Sequence, residues 1–168
     1  MWAFLFYLLT SKFITYKYNK KLSIIYFLID IISEIYLINS LDIKFYIIFQ
    51  ILLFQSITDI TNNDVYLIPN IAICLIPFIF NEYSLFNTLI SFLLPLVIYL
   101  ISKLNKGIGD GDIELLICLC FLFDIKQMCY ICFIASTLNI IFSLHQKRNI
   151  YPFVPFISIA TIIVYLMS

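Results

Sequence analysis

The chain has 168 residues, 63% of them hydrophobic and only 12% charged, and its ten basic and ten acidic residues leave no formal net charge. An ordinary soluble domain carries about a quarter charged residues, and a nucleic-acid binder concentrates basic charge, so composition argues against both classes. A mean hydropathy of +1.04 points instead to a polytopic membrane protein whose partner is the lipid bilayer.

Taken in chain order, the apolar residues form about eight blocks, roughly Trp2–Tyr16, Leu22–Ile38, Ile43–Ile57, Tyr66–Phe80, Leu85–Ser102, Ile113–Phe123, Met128–Leu144 and Phe153–Met167. The blocks do not alternate polar with apolar positions, as β-barrel strands would. The expected fold is therefore an all-α polytopic membrane protein, a bundle of about eight (six to eight) transmembrane helices forming one membrane-embedded domain over residues 1–168. The first block lacks a basic leader and a small-residue cleavage site, and reads as a helix that stays. Pro77 and Pro95 fall inside their blocks and predict kinks. Cys74, Cys118, Cys120, Cys129 and Cys132 all lie in apolar runs, where cysteine behaves as a small hydrophobe; Cys129 and Cys132 have metal spacing but no second ligand pair. Lys17, Lys20 and Lys21 follow the first block, Lys103 and Lys106 the fifth, and Lys147 and Arg148 the seventh. The positive-inside rule places those odd-numbered connections in the cytoplasm.

Chemistry concentrates in two of these connections. All three glycines lie within Gly107-Ile108-Gly109-Asp110-Gly111-Asp112, immediately before the sixth block. Asp59 stands at the end of the third block, and the predicted topology puts it on the same membrane face. Glycine permits close approach of other groups, and carboxylates at a membrane edge are costly enough to suggest function. Two opposed carboxyls in a poorly solvated place do not both ionise readily, which leaves one acid and one base. An aspartic peptidase uses that asymmetry: the base activates water and the acid polarises the peptide carbonyl. On these grounds alone, either Asp110 or Asp112 can be the partner of Asp59.

Gly109-Asp110-Gly111-Asp112, followed by Leu115-Leu116, resembles the GxGD motif of the type IV prepilin peptidases. The stretch from Asp59 to Tyr66 is similar to that family's other catalytic segment, Tyr26–Asp30 to its Tyr-Pro-x-x-Glu, and Pro152-Phe153-Val154-Pro155-Phe156 to the opening of its last helix. The resemblance implies that Asp59 and Asp112 are the catalytic pair and that Gly109, Gly111 and Asp110 belong to the motif loop. It implies a membrane aspartic endopeptidase of a bacterial cytoplasmic membrane, needing no cofactor or metal. Its substrates would be prepilins or pseudopilins, with the short basic leader removed at the cytoplasmic face during signal peptide processing for a type IV pilus or related system. Two departures stand out: Val65-Tyr66 replaces the usual Ile-Pro, and Glu114 replaces the usual lysine. Only Lys17–Lys21 occupies the place where bifunctional members insert a methyltransferase region, so the chain is similar to the short, peptidase-only form.

The remaining polar residues have simpler readings. Asp64 is expected in solvent beside the site, and His145 at the membrane interface. Asp30 and Glu34 share one helix face and are expected to point into the bundle or toward water, with Glu114 a further neighbour of the site. No Ser/His/Asp, Cys/His or His-x-x-x-His set is present. The other functional readings of the acids are a small transporter or channel with an ion path, and an inactive scaffold of the peptidase family.

Overall fold

The computed structural model describes residues 43–80, 84–105, 109–145 and 152–167. The first two blocks, with Asp30, Glu34 and the Lys17–Lys21 connection, lie outside the described residues, as do Gly107, Lys147 and Arg148. Seven helical segments follow one another: α1 (Ile43–Asn62), α2 (Leu67–Ile79), α3 (Leu85–Ser91), α4 (Leu93–Asn105), α5 (Asp110–Leu119), α6 (Ile125–His145) and α7 (Val154–Met167). No strand occurs among the described residues. Among the described residues three stretches are long and apolar enough to cross a membrane, namely Ile43–Asn62, Leu85–Leu104 and Ile125–Leu144; the second joins α3 to α4.

The break between α3 and α4 has a local cause. Pro95 has no N–H to give the carbonyl of Ser91 four residues earlier, so the helical ladder lapses there. That carbonyl instead shares the thiol of Cys120, on the turn after α5, with the carbonyl of Leu116, at 3.4 and 3.3 Å. Ser91 Oγ in turn donates to the carbonyl of Phe123 at 3.0 Å. The predicted kink thus forms where a neighbouring segment supplies replacement partners.

Polar and apolar residues are distributed as lipid requires. Leu85, Phe86, Leu89, Leu93, Val97 and Leu104 leave α3 and α4 broadly apolar on the outside, and Phe133, Ile140, Ile141 and Leu144 do the same for α6. Gln50, Gln55, Thr58, Asn70, Ser91, Ser158 and Thr161 are buried inside. A folded protein in water does not expose so much contiguous apolar surface. The interior is built from Ile48, Leu52, Ile73, Leu115, Leu119, Met128, Ile131, Ile157 and Ala160, which join α1, α2, α5, α6 and α7 into one core. Phe45 closes its lower end, stacked on Tyr165 of α7 at 3.6 Å between ring centroids. Ser56 and Ser158 link α1 to α7 through a buried hydroxyl pair at 2.7 Å, a polar contact of the kind that stabilises helix association in lipid.

Candidate functional site

α1 continues five residues past the predicted end at Ile57, so Asp59 lies within its last turns. Thr58 and Thr61 make this possible: their hydroxyls bond back to the carbonyls of Gln55 and Ile57 at 2.9 and 2.8 Å, which satisfies polar side chains on the helix itself. The helix stops at Asn63, whose φ of 55° is the left-handed conformation favoured by asparagine after a helix, and whose N–H caps the carbonyl of Asp59 at 2.9 Å. α5 likewise starts earlier than the apolar block. Its N-cap is Gly109, and Asp110, Gly111 and Asp112 form the first turn, where acidic side chains suit the helix dipole.

The Asp59 side chain is 5% exposed. Its Oδ2 accepts the N–H of Val154 at 2.9 Å. This solves a problem posed by α7. Pro155 has no N–H, Phe156 donates to the Phe153 carbonyl at 3.0 Å, and Val154 N–H would otherwise be an orphan in the first turn. Asp59 is therefore the remote cap of α7, and Pro152 to Phe156, singled out in the sequence, lies against it.

Asp112 approaches the same place from α5. Its carboxyl is pushed up to about 7, chiefly by burial and then by the negative charge of Asp59; a bond to the Gly109 backbone opposes the shift without cancelling it. Asp112 therefore lies within reach of the Asp59 charge. Asp110 and Glu114 are exposed, and Asp64 is exposed in the α1–α2 turn, close enough to act on Asp59 through its charge. Among the described residues no group of three or more His, Cys, Asp or Glu side chains is placed to hold a metal ion.

The two described glycines work by proximity. Neither has a positive φ. A Cβ on Gly111 would meet the Cβ of Val65 at 2.7 Å, so the α1–α2 turn lies directly on the first turn of α5. A Cβ on Gly109 would come 3.3 Å from Oδ2 of Asp112.

Sequence reasoning missed Gln55, a fully buried side chain one helical turn before Asp59. Its Oε1 accepts the N–H of Tyr66 at 3.1 Å; its Nε2 donates to the carbonyl of Tyr66 at 3.3 Å and to Oδ1 of Asn70 at 2.5 Å. The available signal was a glutamine inside an apolar block, four residues ahead of the aspartate.

Searches among curated proteins and solved structures return no match. The sequence model of the type IV leader peptidase family matches residues 45–144, which run from the first turn of α1 to the end of α6 and include Asp59, Val65 and the motif from Gly109 to Asp112. α7, which Asp59 caps, lies beyond the matched region. With more than half of its length matched, the chain belongs to the type IV leader peptidase family.

Proposed function

We propose that the protein is an aspartic endopeptidase that removes the short basic leader of prepilin-like precursors at the cytoplasmic face of a bacterial membrane. The observation that carries this reading is the meeting of Asp59 and Asp112 from separate helices, with Asp112 held near pKa 7 by burial and by the Asp59 charge. At neutral pH such a carboxyl is substantially protonated, while Asp59 accepts the Val154 N–H, a bond suited to a carboxylate.

The roles follow from this asymmetry. Asp59 accepts a proton from water as the water oxygen attacks the scissile carbonyl carbon. Asp112 donates its proton to the carbonyl oxygen, giving a neutral tetrahedral diol in place of an oxyanion. Collapse of that intermediate breaks the C–N bond; a diol proton returns to Asp112 and the proton on Asp59 passes to the leaving amine. The pair then regains its starting protonation. No cofactor enters the step.

A site at one end of the bundle suits a substrate whose leader is water-soluble and whose following segment is apolar. The leader remains in water and the hydrophobic stem enters lipid beside the apolar outer faces of the helices. Lys103, in the last turn of α4, belongs to the same end of the bundle and supports a cytoplasmic orientation. The decisive experiment incubates purified protein in detergent with a prepilin and follows the cleaved product by mass. Asp59→Asn and Asp112→Asn are each expected to abolish cleavage while still accumulating in the membrane. Normal cleavage by either variant rejects the dyad. A wild-type protein that cleaves nothing but conducts ions in liposomes establishes the transporter reading, and one that does neither leaves the scaffold reading.

A further inference from the structure

We propose that Gln55 is a positioning residue for the aspartate pair: by holding both backbone polar groups of Tyr66, it fixes the α1–α2 turn so that Val65 stays seated on Gly111 and Asp112 stays in register with Asp59. The inference rests on reading Asp59 and Asp112 as the working pair.

The argument begins with the turn. Tyr66 is the N-cap of α2, with φ −88° and ψ 135°, and its side chain makes no capping bond. A peptide group shielded from water without a partner costs free energy, and the Tyr66 peptide is half-buried between α1 and α2. Gln55 meets the need from α1 with one planar amide, accepting the Tyr66 N–H and donating to the Tyr66 carbonyl, much as a neighbouring β-strand would. A proline at position 66 would have no N–H to satisfy and would fix φ by its own ring. Gln55 therefore supplies from outside the restriction that tyrosine lacks, and the departure from Ile-Pro is compensated.

The consequence reaches Asp112 through contacts already described. Val65 precedes the clamped residue and meets the α carbon of Gly111 at a distance that allows no side chain. Gly111 precedes Asp112 in the first turn of α5. At the other end, Gln55 and Asp59 share one face of α1, four residues apart. The brace thus connects the helix carrying one acid to the turn that seats the other. The Phe54 ring lies over that of Tyr66 at 6.3 Å between centroids and steadies the same turn.

The test uses the full chain with Gln55→Leu, Tyr66→Pro and the double variant, purified in detergent and assayed on a prepilin. Gln55→Leu is expected to lower kcat on the order of 10- to 100-fold with KM within about twofold, because a displaced catalytic group loses rate more than binding. It is also expected to move the alkaline limb of the pH profile, which reports the surroundings of Asp112; the charged groups around that site are Asp59 from α1, Asp64 from the turn, Asp110 and Glu114 on α5 itself and Lys103 at the end of α4, which acts on Asp110, with none on α2 or α7. In the double variant, proline removes the unpaired N–H and kcat is expected to recover at least in part. Hydrogen exchange at the Tyr66 amide gives a readout independent of peptidase activity: protected in the wild type, fast in Gln55→Leu. If Gln55→Leu fails to accumulate, recovery of folded, active protein on adding Tyr66→Pro supports the proposal, and failure to recover overturns it. Wild-type kcat in Gln55→Leu overturns it, as does reduced folded protein with unchanged kcat and pH profile, or continued protection of the Tyr66 amide. If the wild type cleaves no prepilin, yet the Tyr66 protection and the infrared titration of Asp112 both depend on Gln55, the peptidase reading fails and the positioning role stands.

Discussion

The contact between Gly111 and Val65 makes a steric prediction that can be worked through in detail. An alanine Cβ at position 111 would lie 2.7 Å from Val65 Cβ, 3.1 Å from its Cγ2 and 3.5 Å from its Cγ1. Carbon atoms rest about 3.5–4.0 Å apart, so Gly111→Ala must separate the two segments by roughly 1 Å. Rotating the valine does not help, because its Cβ is fixed by the backbone. Overpacking of this kind costs about 1–3 kcal/mol, and a shift of roughly 1 Å in a reacting group costs on the order of 100-fold in rate. Gly111→Ala is therefore expected to insert into the membrane and to cleave prepilin about 100-fold more slowly in single-turnover assays. Val65→Gly removes the opposing Cβ and is expected to rescue it; Val65→Ala retains that atom and is not. Full activity in Gly111→Ala, or equal rescue by both second changes, would refute the steric reasoning.

Further outcomes follow from the acids and from α7. An acid that must be protonated to act, with pKa about 7, places the alkaline limb of kcat/KM near neutrality. Replacing Asp59 by Asn removes the like charge but leaves the larger effect of burial, so the infrared titration of Asp112 is expected to move down part of the way toward 3.8; no movement would exclude proximity of the pair. For stability the sign is fixed: a carboxyl raised from 3.8 to about 7 on folding costs stability progressively as pH rises through that window and by a constant amount above it. The wild type is thus expected to lose melting temperature across the window relative to Asp112→Asn, and parallel curves would contradict the shift. Val154→Pro removes the donor to Asp59 at a helix position that tolerates proline, whereas Val154→Ala keeps it. Loss of a hydrogen bond to a charged group, about 1.5–3 kcal/mol, predicts a cleavage defect of ten-fold or more in the proline variant alone, measured at equal membrane content.

Long apolar blocks made the helical class legible, and the glycines beside Asp110 and Asp112 marked one half of the site. Positive-inside reasoning put Asp59 on the same side, and in the structure the Asp59 charge reaches Asp112. The helix limits at the site were less legible. Hydropathy ends α1 at Ile57 and starts α5 at Ile113, yet both helices extend through polar residues because threonine hydroxyls bond back to the helix and aspartates suit a helix N-terminus. Gln55 escaped notice because its meaning depends on Tyr66, eleven residues away, whose backbone needs a partner only once the turn has closed. The function of the glycines was legible only in part. Their mark in the sequence suggested either unusual dihedrals or close approach, and only the packing of Val65 distinguishes the two.

The bond from Asp59 to Val154 spans 95 residues of chain. Because α7 is synthesised after every other described helix, the carboxylate on α1 has no settled place until ribosomal elongation has delivered α7 and the membrane has accepted it. Until then Asp59 lacks the bond that fixes it, and the proposed base has no fixed partner on α7. On the proposed peptidase reading, cleavage of other polypeptides would then wait on the insertion of α7, a dependence that rests on one main-chain amide.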